Sequence, residues 1–358
     1  MDMRERTPEI NRPEAAPGED KPAVTHKAEV EPGQSAQKSL SPFQQSFRRF
    51  LRDKRAMVSL IVLGLIVLIA LIGPPIYIHI GGLYQSDIQG TIGPTVYHSY
   101  THQELTQQNQ GPSARYWLGT DGLGRDMLAR LMQGVLVSLI VALLVEVVDV
   151  GLGMTIGLLA GYYGGWIDTA LARFTDLMLA FPGLLFAILL TAVFNDSVSD
   201  AFSNWPLIGS FMANGNATLV IVSLALALVS WPLMARFVRG QTLQIKEQQF
   251  IEAARASGTS NLRIILRHVV PNVINFVLIV SSLNIANTII GESGLSLLGL
   301  GVREPGSSLG LMINDGLDTL SIFPWNTMLP TLVLTVIVLA VSFISDGLRD
   351  AFDPRSGN

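Results

Sequence analysis

The segment IEAARASGTSNLRIILRHVVPN, residues 251–272, holds the side chains whose types and spacing are most informative. Glu252, Ala253, Ala254 and Ala256 form a helical stretch with almost no side-chain bulk, and Gly258 breaks or caps it. A second helix is expected from Ser260 to His268, with Ile264, Ile265 and Leu266 apolar and Arg263 and Arg267 on its flanks; Pro271 then marks the start of a membrane span. Small side chains let another backbone approach closely, so a helix–glycine–helix elbow suits insertion into a partner's groove. On composition alone, an ordinary amphipathic loop helix is the favoured reading.

Two groups of ionisable residues fall within or near apolar stretches. Glu146 and Asp149 interrupt one of them, and charges at membrane depth are costly unless they face a cavity or a partner. Either they line a path and attract a cationic group on a substrate, or the span is shifted or a helix neighbour satisfies both. Asp168, Arg173 and Asp176 have a helical spacing that predicts mutual pairing near a membrane edge. Other chemistries lack their residues. No GxxxxGK[ST] phosphate loop is present, so nucleotide must be bound elsewhere. Gly299-Leu300-Gly301 lacks the strand–helix context of a dinucleotide site, and neither HExxH nor paired-histidine spacing suggests a metal. His268 reads as a helix-end residue facing a partner rather than a titrating group. With no cysteine there is no disulfide, thiolate metal site or cysteine nucleophile.

The elements that must hold these residues are membrane spans. Of 358 residues, 49% are hydrophobic and 15% charged, whereas soluble domains carry about 25% charged residues. The net charge of −4 gives no case for nucleic acid. Apolar stretches near 57–79, 135–160, 168–194, 217–238, 272–290 and 327–347 each approximate the ~20 residues that cross a bilayer, and spans there must be helical. The fold class expected is an all-α integral membrane protein of about six transmembrane helices. Residues 1–40, polar and without an aromatic residue, are expected to be a disordered tail with no cleavable signal. Residues 41–56 alternate Phe43, Phe47, Phe50 and Leu51 with Arg48, Arg49, Arg52, Lys54 and Arg55, as a basic amphipathic segment suited to an anionic bilayer surface or simply flanking the first span. The transmembrane domain covers 57–350, with 351–358 a short terminus. Of 24 basic residues, 11 precede the first span, and Arg239, Lys246, Arg255, Arg263 and Arg267 crowd the loop 239–270. The positive-inside rule therefore places both termini and that loop in the cytoplasm. Residues 80–116, 195–216 and 291–326 then face outward, and the last, rich in Gly and Ser, could hold a re-entrant piece.

Glu-Ala-Ala, three residues, Gly, and an apolar stretch closed by His-x-x-Pro-Asn resemble the coupling loop of bacterial ABC-transporter permeases, and more specifically the C-type subunit of the dipeptide/oligopeptide family. Four further regions agree in order. They are Leu118-Gly119-Thr120-Asp121 with Gly124-Arg125-Asp126; Gly161-Tyr162-Tyr163-Gly164-Gly165 through Asp168, Arg173, Asp176 and Phe181-Pro182; Glu292 with Leu295-Ser296-Leu297-Leu298-Gly299-Leu300-Gly301; and Asp346-Gly347-Leu348-Arg349-Asp350 with Asp353-Pro354-Arg355. Leu309, before Gly310, departs from the family's usual aromatic residue, and Glu146 and Asp149 depart from its mostly apolar second span.

The resemblance implies a type I ABC importer permease in the bacterial inner membrane. A second permease subunit would complete the translocation path, two ATPase subunits holding ATP and Mg would sit beneath the cytoplasmic loops, and an extracytoplasmic binding protein would deliver a peptide. This chain would then hold no cofactor and be no enzyme. Glu252, Ala253, Ala254, Ala256, Gly258, Ile264, His268 and Pro271 would couple the ATPase to the spans. The same architecture serves importers of nickel, glutathione or an oligosaccharide. From other classes, an ion-coupled secondary transporter is kept open by the acids of spans two and three, and a non-transporting scaffold would not need the elbow.

Overall fold

The computed structural model describes residues 42–83, 98–203, 217–304 and 306–352; the expected tail 1–40 and the last residues lie outside these. The described chain is helical. α1 (Pro42–Phe50) is the basic amphipathic segment, and α2 (Lys54–Leu83) is the first long apolar helix. α3 (Met127–Tyr163) overruns the stretch expected from hydropathy at both ends. α4 (Gly165–Ala180) and α5 (Gly183–Ser203) follow, then α6 (Ala217–Lys246). α7 (Gln249–Ala256), α8 (Asn261–Ile264), a π-helical turn (Ile265–Val269) and α9 (Val270–Leu297) form the elbow and its rod. α10 (Leu309–Leu317) is short, and α11 (Trp325–Phe352) closes the fold.

Among the described residues, five helices are long and apolar enough to cross a membrane, and six if α4 with α5 counts as one bent span. That bend corrects the expectation of a continuous third span over 168–194. α4 and α5 meet at 81° across Phe181-Pro182. Proline lacks an N–H and disfavours a helical backbone in the residue before it, and Phe181 is extended at ψ 134°.

α3 is the axis of the molecule. At 1.5 Å per residue it is about 55 Å long, and it contributes to three successive apolar cores. The first joins Leu131 and Val135 to Ala70 of α2, Ile289 of α9, Met312 of α10 and Ile337 of α11. The second joins Val141 and Val145 to Ala187 of α5 and Val222 of α6. The third joins Leu158 to Val238 of α6 and to Ile251, Ile264, Val269 and Val273 of the elbow and its rod. Gly153, Gly157 and Gly161 recur every fourth residue along α3. A Cβ at Gly157 would stand 2.6 Å from the Ala235 carbonyl oxygen, so α6 lies against a bare strip of backbone. Large apolar side chains such as Ile61, Leu65, Leu143, Leu185 and Leu332 point outward, as a hydrocarbon environment allows.

Candidate functional site

The elbow begins where α7 ends. Gly258 has φ +73°, the left-handed conformation that side chains resist. The Thr259 N–H donates to the Ala254 carbonyl at 3.1 Å and the Gly258 N–H to that of Arg255 at 2.9 Å, the two bonds of a Schellman cap. A Cβ at Gly258 would meet nothing within 4 Å, so the demand for glycine comes from backbone conformation rather than crowding.

Beyond the cap the structure corrects the expected second helix. It does not stop before Pro271: α8, the π turn and α9 form one rod, Asn261–Leu297. Proline in a helix removes an N–H and drives its ring toward the carbonyl four residues back. The π turn immediately before Pro271 widens the helix there, and Asn272 Nδ2 donates to the His268 carbonyl at 2.7 Å. The elbow is thus joined directly to the span it precedes.

One face of the elbow is anchored. Ile251 and Ile264 are completely buried and hold the elbow against the core. The Tyr162 hydroxyl lies 3.0 Å from Asn261 Oδ1, and the Arg255 guanidinium lies over the Tyr162 ring at 5.3 Å. The other face is open. Glu252, Ala253, Ala256, Gly258 and Pro271 are exposed, Ala254 and His268 are half-buried, and the His268 ring lies 6.5 Å from that of Phe250. Phe250, Leu262 and Leu266 complete this face, the two leucines more than half exposed. Sequence reasoning missed those three as a surface, although their apolar character beside Arg263 and Arg267 was a visible signal.

Above the elbow, the expected pairing of Asp168 and Asp176 with Arg173 gives way to pairs across helices. Arg239 of α6 donates to both oxygens of Asp168, with Nη2 at 2.8 Å, and Arg236 Nη2 donates to Asp176 Oδ1 at 2.5 Å. The reason is geometric: α4 lies along α6, so a guanidinium on the neighbour reaches each carboxylate.

At the opposite end of α3, Asp121, Arg125 and Asp126 of the Leu118–Asp126 motif belong to an ionic clasp whose further members Arg130 and Asp315 sequence reasoning did not single out. Asp121 accepts from the Arg125 N–H and Nε at 2.9 and 2.7 Å and from Arg130 Nη1 at 2.5 Å. Both arginines then reach Asp315 of α10, each at 2.9 Å, and Arg125 also pairs with Glu304. Burial alone would push the Asp121 carboxyl up, but Arg130 and Arg125 outweigh it and hold the carboxyl below its ordinary value. Asp126 caps α3 by accepting from the Leu128 and Ala129 N–H groups, and its other oxygen accepts from the Tyr77 hydroxyl at 2.8 Å and meets His98 Nδ1 at 2.9 Å. The signal was the run Asp121, Arg125, Asp126, Arg130, acids and arginines one helical turn apart.

Between the clasp and the elbow lie buried acids. Glu292 of α9 is fully buried and accepts from Ser138 Oγ at 2.8 Å and Ser296 Oγ at 2.7 Å; Ser296 in turn meets Ser308, the N-cap of α10. Within the segment expected to hold a re-entrant piece, α10 is a short helix with Leu309, Gly310, Leu311 and Met312 buried. Glu146 and Asp149 are buried too, both accepting from Asn284 of α9. A helix neighbour thus meets one oxygen of each acid. Among the described residues, no group of three or more His, Cys, Asp or Glu could hold a metal.

Comparison with known proteins places this arrangement. Residues 153–358 match the family described as binding-protein-dependent transport system inner membrane component, and residues 41–112 match the N-terminal TM domain of oligopeptide transport permease C. The oligopeptide transport system permease protein OppC of Mycobacterium tuberculosis is 35% identical over 309 residues, covering 86% of this chain and 93% of that protein. The dipeptide transport system permease protein DppC of Alkalihalophilus pseudofirmus is 32% identical over 335 residues, covering 94% and 97%. Among solved structures, the inward-facing MetNI methionine ABC transporter aligns with 63% of this chain and 97% of its own at 16% identity and a TM-score of 0.47.

Proposed function

Because the chain belongs to the binding-protein-dependent inner-membrane permeases, in their oligopeptide and dipeptide branch, and is a multi-pass subunit of an importer, we propose that it forms half of a path for peptides and is driven by an ATPase docked on the α7–α8 elbow. The observation that carries this reading is the two-faced elbow. Ile251 and Ile264 fix it to the core, while Glu252, Ala253, Ala256, Leu262 and Leu266 stand open beside it. Exposed apolar residues around a small-residue helix need a partner in water, and the nucleotide site is expected in that partner because this chain has no phosphate loop.

In this reading the elbow and both termini face the cytoplasm, following the basic residues of 239–270, and the clasp faces outward toward a binding protein that delivers substrate. A second permease subunit supplies the other half of the path. ATP and Mg bind in the ATPase pair, and closure of that pair pushes on Ala253, Ala254 and Ala256. The Gly258 cap keeps α7 at a fixed angle to α8, and the unbroken rod from Asn261 to Leu297 carries the push through Pro271 into the membrane. His268 and Phe250 lie at the edge of the same surface.

Charging the open face tests this. Leu262→Asp with Leu266→Asp leaves the buried anchor intact, so membrane insertion is expected to persist while co-purification of an ATPase and ATP-driven uptake of labelled oligopeptides are lost. Unchanged co-purification and uptake would refute the docking site. Uptake that follows an ion gradient and ignores ATP would support the secondary-transporter alternative.

A further inference from the structure

Where α3, α6 and α9 meet, the molecule holds a buried polar cluster that the coupling scheme does not use. Glu146 and Asp149 lie three residues apart on α3, 7% and 2% exposed. A single amide nitrogen, Asn284 Nδ2, donates to Glu146 Oε2 at 3.1 Å and Asp149 Oδ2 at 2.7 Å. The remaining oxygens, Glu146 Oε1 and Asp149 Oδ1, are buried without a hydrogen-bond partner. Ser281 lies one turn before Asn284 and borders Glu146, yet its hydroxyl is also buried outside hydrogen-bonding geometry. Ser230 of α6 borders Asp149.

Among the described residues, the polar neighbours that α6 and α9 bring to the acids are Ser230, Ser281 and Asn284, and Glu146 is the charge beside Asp149. The arginines of α6 nearer the elbow, Arg236 and Arg239, are engaged by Asp176 and Asp168. Two ionised carboxylates on one helical face repel, and burial deprives each of hydration. One positive charge would relieve both costs. Two carboxylate oxygens and the serine hydroxyls also form the all-oxygen donor set that hard cations prefer. Enclosure by three helices of one subunit suits a small bound cation better than a charged group on a passing substrate.

We propose that this cluster binds one small monovalent cation, a proton or a sodium-sized ion, between Glu146 and Asp149, and that the occupant fastens α3 to α9. α9 belongs to the rod that begins at the elbow, so loading the site ties a charge to that rod.

The test uses the purified full-length chain in nanodiscs, as wild type and as Glu146→Gln with Asp149→Asn. Melting is followed in sodium against choline salts at mildly alkaline pH, and then in choline as pH is lowered to mildly acidic. A ligand that binds only the folded state raises the midpoint. The wild type is expected to gain several degrees on one arm, the sodium arm for an alkali ion or the pH arm for a proton, and the double variant to gain neither. Infrared spectra of the wild type give a second reading even if the double variant fails to fold. A bound proton produces a carboxylic-acid C=O band that shifts on isotopic labelling of Asp and Glu, and sodium produces a saturable carboxylate difference spectrum. Equal midpoints on both arms in the two proteins, or a wild type with neither spectral signature, would overturn the proposal.

Discussion

Gly258 and Asp121 show how single residues set the two ends of the molecule. At Gly258 the cost of a side chain is conformational, because φ is +73° and no atom lies within 4 Å of a built Cβ. Gly258→Ala is therefore expected to weaken the elbow by about 1 kcal/mol, with Gly258→Asn milder since asparagine tolerates this conformation. Hydrogen exchange at the Thr259 amide, which the cap protects, measures both. At the clasp, Arg130→Met lowers the support of Asp121 from two guanidiniums to one. Because Arg125 still pairs with Asp121, the cost is expected to fall below the ~3–5 kcal/mol of an uncompensated buried charge and to be read as a lower melting midpoint. The depressed carboxyl of Asp121 also fixes a pH dependence. Its stabilisation is complete above the ordinary aspartate value of 3.8 and is lost as pH falls below that through the folded value. Melting of the wild type should fall over that acidic window more steeply than that of Asp121→Asn.

At the scale of elements, close approach and buried hydroxyls decide which helices stay together. A side chain at Gly157 would collide with the Ala235 carbonyl and with Val238, whereas one at Gly151 would meet nothing within 4 Å. Gly157→Leu is expected to separate α3 from α6 and to impair assembly of the chain, while Gly151→Ala leaves expression and melting unchanged; the pair distinguishes packing from a general effect of losing glycine. Glu292 joins α3, α9 and the N-terminus of α10 through Ser138, Ser296 and Ser308. Glu292→Gln keeps an acceptor and is expected to be tolerated. Glu292→Leu leaves buried hydroxyls unpaired at about 1–3 kcal/mol, visible as a lower Tm and earlier protease cleavage at α10.

For the whole molecule, α3 is the long member that meets the clasp at one end and the elbow at the other. The clasp draws α10 onto the start of α3, and Tyr162 draws the elbow onto its end. A shift imposed on the elbow therefore meets a body braced at its far side, which suits movement of this chain as a unit rather than local bending. The exposed apolar side chains along α2, α3 and α5 suit lipid and, in the proposed assembly, a second permease subunit. Cross-linking from single cysteines at Leu143 or Leu185 in a chain that has none of its own is expected to separate the two faces, the subunit-facing position giving a protein adduct and the other a lipid-probe adduct.

Much of this protein was written in its order of residues. Bilayer physics makes long apolar runs helical, and the ordered motifs around Asp121, Gly161, Glu252 and Glu292 pointed to a permease before any contact was known. Gly258 was legible as a cap because few residues besides glycine adopt its conformation readily. The tertiary structure alone decided the partners. Periodicity assigned Asp168 and Asp176 to Arg173, yet the arginines that reach them sit on α6, far along the chain. Pro271 read as a helix start, but the π turn before it let the rod continue into α8. Ile264, Leu262 and Leu266 are alike apolar in sequence, yet Ile264 is completely buried while Leu262 and Leu266 take the open side. Local backbone preference acts over a few residues and can be read in order. Which charge meets which, and which face of a helix is covered, depend on neighbours that only folding brings near.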